Sequence, residues 1–88
     1  MTDSQRHDAF RGLAHPVRRN IINKLAAGPV SVLDLRTTLK LSPENLTQHL
    51  NTLRDTGLIR TSPSGRQVIC KLDRRALRKA GTWIDSCL

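Results

Sequence analysis

Leu41-Ser42-Pro43-Glu44-Asn45-Leu46-Thr47-Gln48-His49-Leu50-Asn51-Thr52-Leu53-Arg54-Asp55-Thr56-Gly57 is the stretch on which the fold turns. Both of its ends are marked. Ser42 can accept a hydrogen bond from a backbone N–H left unpaired at a helix start. Pro43 fits the first helical position, where its missing N–H costs nothing. Gly57 supplies the left-handed residue that commonly ends a helix, and Leu58 beyond it can pack back on the last turn. These signals predict a helix over Pro43–Thr56. Within it Leu46, Leu50 and Leu53 recur at spacings of four and three, so one stripe is buried. The opposite face carries Glu44, Asn45, Thr47, Gln48 and Asn51, short hydrogen-bonding side chains crowded into the N-terminal half. That is where a recognition helix meets base edges in a major groove. A polar face on an amphipathic helix is by itself no more than a solvated face, so the flanking segments decide.

Upstream, Ser31 with Asp34 resembles a capping box, and Val32, Leu35 and Leu39 form the apolar face of the helix it opens. Only Lys40-Leu41 separates that helix from the Ser42 cap, which leaves room for a tight turn alone. Two short helices joined this closely form a helix-turn-helix. Glycine is common in such turns, and Lys40 stands there in this chain. Further back, Pro16 opens a helix with Val17, Ile21, Ile22 and Leu25 on its inner face, and Gly28-Pro29 ends it. His15-Pro16 breaks this helix from a first one that holds Ala9, Phe10, Leu13 and Ala14 and could be capped by Thr2, Asp3 or Ser4.

Downstream the period changes. Leu58-Ile59-Arg60-Thr61, the turn formers Ser62-Pro63-Ser64-Gly65, and Arg66-Gln67-Val68-Ile69-Cys70-Lys71-Leu72 read as a hairpin whose tip is flanked by Arg60 and Arg66. After a helix-turn-helix such a hairpin is a wing, lying along the phosphate backbone or in the minor groove. Asp73 caps a last helix in which Leu77, Ala80, Ile84 and Leu88 share a stripe widened by Ala76, Trp83 and Cys87. Left exposed, that face would be an apolar patch of the kind that marks an interface. The expected architecture is mainly α with a small β-hairpin (α+β): helices 1–4, a two-stranded wing, and a C-terminal helix 5, in one domain over residues 1–88.

At 88 residues the chain buries only about 60% of its unfolded surface and is marginal alone. Its only aromatic residues are Phe10 and Trp83, near opposite ends, so association is expected to complete the core. The net charge is +8, from 15 Lys+Arg against 7 Asp+Glu, which favours a polyanionic partner. Between Arg60 and Lys79, seven basic residues (Arg60, Arg66, Lys71, Arg74, Arg75, Arg78 and Lys79) face Asp73 alone. Arg18, Arg19 and Lys24 add a second cluster. Together they are expected to rim the recognition helix and supply affinity and register without sequence information. No apolar run approaches a membrane span and the N-terminus is no signal peptide, so the expected location is cytoplasmic.

The order of elements resembles the winged helix-turn-helix repressors of the ArsR type over nearly the full chain. Leu13-Ala14-His15-Pro16-Val17-Arg18-Arg19 looks like that family's opening to helix two, and Thr47-Gln48-His49-Leu50 like the core of its reading helix. Leu53 to Ile59 and Ser64-Gly65-Arg66 look like its helix exit and wing tip. The resemblance implies a homodimer built from the first and last helices, which would use Phe10, Leu77, Trp83 and Ile84, and a repressor that covers operator DNA. It also places His49 where it faces DNA or the neighbouring helix. The family's metal sensing does not carry over. Thiolate sensors have Cys-x-Cys in helix three, where this chain has Val32-Leu33-Asp34-Leu35. Zinc sensors have Asp and His ligands in the last helix, where this chain has no histidine.

The expected function is therefore a dimeric, sequence-specific regulator of double-stranded DNA. Ser42, Glu44, Asn45, Thr47, Gln48, His49, Asn51, Arg60 and Arg66 are the candidate DNA contacts. Phe10, Leu77, Ala80, Trp83, Ile84 and Leu88 are the candidate dimer contacts. No catalytic set, metal site, cofactor or membrane partner is expected. Two other readings compete with this one. One is a winged-helix protein-interaction module, which would have no need of so much positive charge. The other is a thiol-responsive repressor using Cys70 or Cys87, since a thiol beside Arg or Lys can be lowered in pKa.

Overall fold

In a computed structural model the backbone is described for residues 3–87, and the side chains of residues 1–6, 84, 87 and 88 lie outside the described part. The elements run α1 (Asp3–Leu13), α2 (Pro16–Leu25), β1 (Val30–Ser31), α3 (Val32–Leu39), α4 (Pro43–Asp55), β2 (Ile59–Ser64), β3 (Gln67–Leu72) and α5 (Arg74–Cys87). The expected capping of α1 by Thr2, Asp3 or Ser4 lies outside the described side chains.

The leucine stripe of α4 is the floor of the core. Leu46, Leu50 and Leu53 are buried against Ile21, Ile22 and Leu25 of α2, Leu35 of α3, and Leu58, Ile59, Cys70 and Leu72 of the sheet. Each fully buried aliphatic side chain of this kind contributes about 1.5–3 kcal/mol. None of these core residues is aromatic, as expected from the composition.

The caps follow the sequence closely. Ser31 Oγ accepts from the Asp34 N–H at 3.1 Å, Ser42 Oγ from the Asn45 N–H at 3.2 Å, and Asp73 Oδ1 from the Ala76 N–H at 3.0 Å. At the end of α4, Gly57 lies at φ +78°, the Leu58 N–H donates to Leu53 O and the Gly57 N–H to Arg54 O. This is a Schellman motif, which pairs carbonyls that the helix end would otherwise leave open. Helix α3 ends the same way, with the Leu41 N–H on Arg36 O, but here a lysine takes the left-handed position: Lys40 has φ 54° and ψ 47°.

The Leu13-to-Arg19 motif proves to be a clip between two helices. His15 Nδ1 accepts from the Val17 N–H at 3.1 Å and so caps α2. Arg18 donates through Nε to Gly12 O and through a terminal nitrogen to Arg11 O, at 3.1 and 2.8 Å. Arg19 donates to Leu13 O at 2.7 Å. The last carbonyls of α1 are thus closed by guanidinium groups of the next helix. Helix α1 lies close over the α4–β2 turn, because a Cβ at Gly12 would stand 2.7 Å from Leu58 Cδ1.

The sheet departs from expectation in two ways. It has three antiparallel strands in the order β1-β3-β2 rather than two, with Val30 opposite Cys70 and Ser31 opposite Ile69. The wing's turn also lies later than Ser62–Gly65. Strand β2 runs through Ser64, which pairs with Gln67, so the turn is Gly65-Arg66. Gly65 has φ +62° while Arg66 is not among the positive-φ residues, the pattern of a type II′ hairpin turn. Pro63, expected in the turn, sits opposite Val68 in the outer strand. It is tolerated because its missing donor falls on the open edge.

Lys40→Gly is expected to stabilise the protein by about 1 kcal/mol, the order of the left-handed penalty for a residue with a Cβ. Lys40→Val is expected to destabilise it. The check is the urea midpoint of each variant, and an unchanged or lowered midpoint for Lys40→Gly would contradict the strain at this turn.

Candidate nucleic-acid interface

On α4 the polar side chains stand where a groove would meet them. Glu44, Asn45, Thr47, Gln48 and Asn51 are all exposed, while Leu46, Leu50 and Leu53 are buried. At 3.6 residues per turn, Glu44 and Gln48 point directly away from the leucine stripe, with Asn45 and Thr47 on opposite flanks. Ser42 spends one lone pair on its cap, and its hydroxyl proton remains free to donate. Asn51 is differently placed: its Oδ1 accepts from Arg54 one turn on, and Arg54 also reaches Thr61 Oγ1 of β2 at 3.4 Å. Arg54, which the sequence analysis did not single out, therefore ties the recognition helix to the wing. Its spacing of three from Asn51 was the available signal.

His49 is turned toward α2 rather than outward. Its ring lies 4.5 Å from that of His15, and its Nδ1 is buried with no hydrogen-bond partner among the described residues. Of the two places the resemblance allowed, the neighbouring helix is the one it faces. Burial, with His15 and Arg18 nearby adding repulsion, holds its pKa below the ordinary histidine value.

The two wing arginines separate. Arg66 is exposed in the tip turn. Arg60 stands at the wing's base, opposite Lys71, and donates to Asp73 Oδ2 at 3.2 Å. The Arg60 side chain is 80% exposed, so this ion pair adds little stability. The Asp73 carboxyl lies below the usual carboxylate range, first because the Ala76 N–H donates to it and then because Arg60 does. The rim inferred from charge is also thinner than expected. Arg18 and Arg19 are engaged on α1, and Arg74 donates to Ala26 O of the α2 end at 2.8 Å.

The candidate dimer residues differ in exposure within one chain. Within one chain Ala80 is 1% exposed and Leu77 is half-buried against the core. Ile84 and Leu88 lie outside the described side chains. What the first and last helices do present is Phe10, 61% exposed, set edge-on to Trp83 with ring centroids 5.8 Å apart. The two rings border an apolar hollow of about 380 Å³ shared with Ala9, Leu13, Arg19 and Ala80.

Cys70 corrects the thiol reading. It lies at the centre of β3, fully buried, and burial pushes its pKa up, the reverse of a reactive thiolate's surroundings. The side chain of Cys87 lies outside the described residues. Among the described residues, no three His, Cys, Asp or Glu side chains gather as a metal site, and no helix is long and apolar enough to cross a membrane.

A tight helix-turn-helix with a polar outer face, followed by a hairpin tipped with arginine, defines a winged helix-turn-helix protein. Comparison with known proteins agrees. Residues 13–62 match a family described as a helix-turn-helix domain. An HTH-type transcriptional regulator of Mycobacterium tuberculosis is 34% identical over 77 residues, covering 88% of this chain and 72% of the relative. The transcriptional repressor SdpR of Bacillus subtilis is 23% identical over 78 residues, covering 89% and 87%. The crystal structure of an ArsR family transcriptional regulator superposes with a TM-score of 0.87 at 27% identity, covering 98% of this chain and 89% of that one. The chain belongs to the ArsR-type winged helix-turn-helix family of DNA-binding transcriptional regulators.

Because folded His49 takes up a proton less readily than the unfolded chain does, stability is expected to fall as pH drops below the ordinary histidine value, and the loss is complete once the folded group also titrates. Thermal unfolding followed between about pH 7.5 and 5 should show a smaller fall for His49→Gln than for the parent. Equal falls would mean that His49 is not the group responsible.

Proposed function

We propose that the chain is a homodimeric repressor that binds a palindromic operator, with α4 in the major groove and the Gly65-Arg66 tip on the backbone or in the minor groove. The observation that carries this reading is the exposed row Glu44, Asn45, Thr47 and Gln48 on a helix anchored by three buried leucines. Gln48 and Asn45 carry amides suited to adenine. Thr47 can hydrogen-bond or touch a thymine methyl, and Glu44 can accept from cytosine. Ser42 and Arg66 serve phosphate, while Asn51, Arg54 and Arg60 hold the helix and wing in place. Repression is supported by relatives named as repressors, and a DNA target implies the cytoplasm.

Gln48→Ala is expected to cost about 1–3 kcal/mol on the cognate operator and little on scrambled duplex. Arg66→Ala should weaken both duplexes alike and flatten the salt dependence by about one unit of slope. Affinities for both duplexes at several salt concentrations make the test. If neither substitution moves any curve, the polar face does not read DNA and docking on a protein takes its place.

The dimer is proposed to close through α1 and α5. Phe10 and Trp83 supply an apolar surface that a second copy can cover, and the half-sites then lie about 34–36 Å apart or a multiple of that. Trp83→Arg should give monomers in sedimentation at micromolar concentration, with loss of operator binding. A parent protein that sediments as a folded, DNA-competent monomer would rule the dimer out.

A further inference from the structure

The base of the wing holds a second concentration of positive charge that DNA reading does not use. A hollow of about 380 Å³ opens there, lined by Arg60, Lys71, Arg74, Arg75 and Asp73 over an apolar floor that includes Leu72. Arg60 and Lys71 are direct cross-strand partners, and like charges placed opposite one another destabilise a sheet. Only part of this charge is offset within the fold: Asp73 takes Arg60 and the Ala26 carbonyl takes Arg74. The Lys71 and Arg75 side chains are exposed and make no hydrogen bond or ion pair among the described residues. A like-charge pair in register, with two more cations turned into the same hollow, leaves a site short of negative charge.

Its place in the fold separates it from the duplex. The hollow lies at the Leu72 end of β3, and the Gly65-Arg66 tip lies at the other end, about 15–20 Å away at strand rise. Its nearest tie to α4 is at that helix's C-terminal end, where the N–H of lining residue Asp73 donates to Leu58 O. The polar row at Asn45 to Gln48 is about 10–15 Å further along that helix. This separation rests on the DNA reading proposed above.

We propose that the hollow at the base of the wing binds a small anion of the phosphate class carrying two or more negative charges. Arg60 and Lys71 would hold it from the sheet and Arg75 from the start of α5. Such a ligand would relieve the repulsion between Arg60 and Lys71. It would also bridge the wing to α5, the helix that carries Trp83.

Inorganic pyrophosphate is the probe, titrated into the full chain at constant ionic strength so that general screening does not change. Backbone amide resonances provide the readout. Saturable shifts are expected at Gly28, Lys71, Asp73, Arg75 and Ala76, with an apparent Kd of about 1 mM or tighter. The doubly substituted Lys71→Gln/Arg75→Gln protein should bind at least about tenfold more weakly, while Arg66→Ala should bind as the parent does. Shifts that never saturate, that centre on α4 and the wing tip, or that survive the double substitution would overturn the proposal. A parallel titration with a short operator duplex separates the sources of phosphate. If the duplex moves the same amides through Lys71 and Arg75, the hollow is part of the DNA interface and the proposal fails. The α4 amides report on the DNA reading separately, so either reading can fail without the other.

Discussion

Leu58 is where the molecule is joined. Its N–H closes the end of α4 on Leu53, its carbonyl accepts from the Asp73 N–H at 2.9 Å, and its side chain is 1% exposed beneath Gly12 of α1. One residue thus couples the reading helix, the first strand of the wing, the start of α5 and the approach of α1. The angle at which the wing leaves α4 depends on this turn. Gly57 makes the turn accessible, since φ +78° is a conformation that side chains with a Cβ adopt at a cost. Gly12 lets the covering helix come close, since a Cβ there would stand 2.7 Å from Leu58 Cδ1 and 3.0 Å from Thr56 Oγ1 and one of these side chains would have to shift.

Much of this was legible in the sequence because it was written in local chemistry. Ser31, Ser42 and Asp73 cap helices whose first turns lie within three residues, so their partners could be named from spacing alone. The leucine stripe of α4 repeats often enough to declare a buried face. Strand β1 was missed because two residues, Val30 and Ser31, have no periodicity to read. Their partners, Cys70 for Val30 and Ile69 for Ser31, stand 40 and 38 positions away. The wing turn was set too early because Ser62-Pro63-Ser64 has turn composition, and only pairing along a sheet edge explains why it stays extended. A helical stripe shows that a face is apolar without showing how it is shared out: on α5, Ala80 is buried and Trp83 half-buried, and Phe10 of α1 beside them is exposed.

The charge was legible as a total but not in its distribution. Counting placed the arginines of α2 beside those of the wing as one basic rim. In the fold they have different partners. Arg18 and Arg19 close the end of α1, Arg54 joins α4 to β2, Arg60 pairs with Asp73, and Arg74 reaches the last turn of α2. A guanidinium can meet two acceptors at fixed geometry, which suits it to fastening elements in a domain that lacks a large core. Much of the arginine in this chain fastens one element to the next.

Pro63 has an effect that reaches beyond its own strand. In the order β1-β3-β2 the wing's outer strand is an open sheet edge, and such an edge is a template on which another chain can add a strand. Proline removes a donor from that edge near the tip, and β1 on the far side is too short to template anything. With both edges blunted, the sheet offers little template for growth from one molecule into the next.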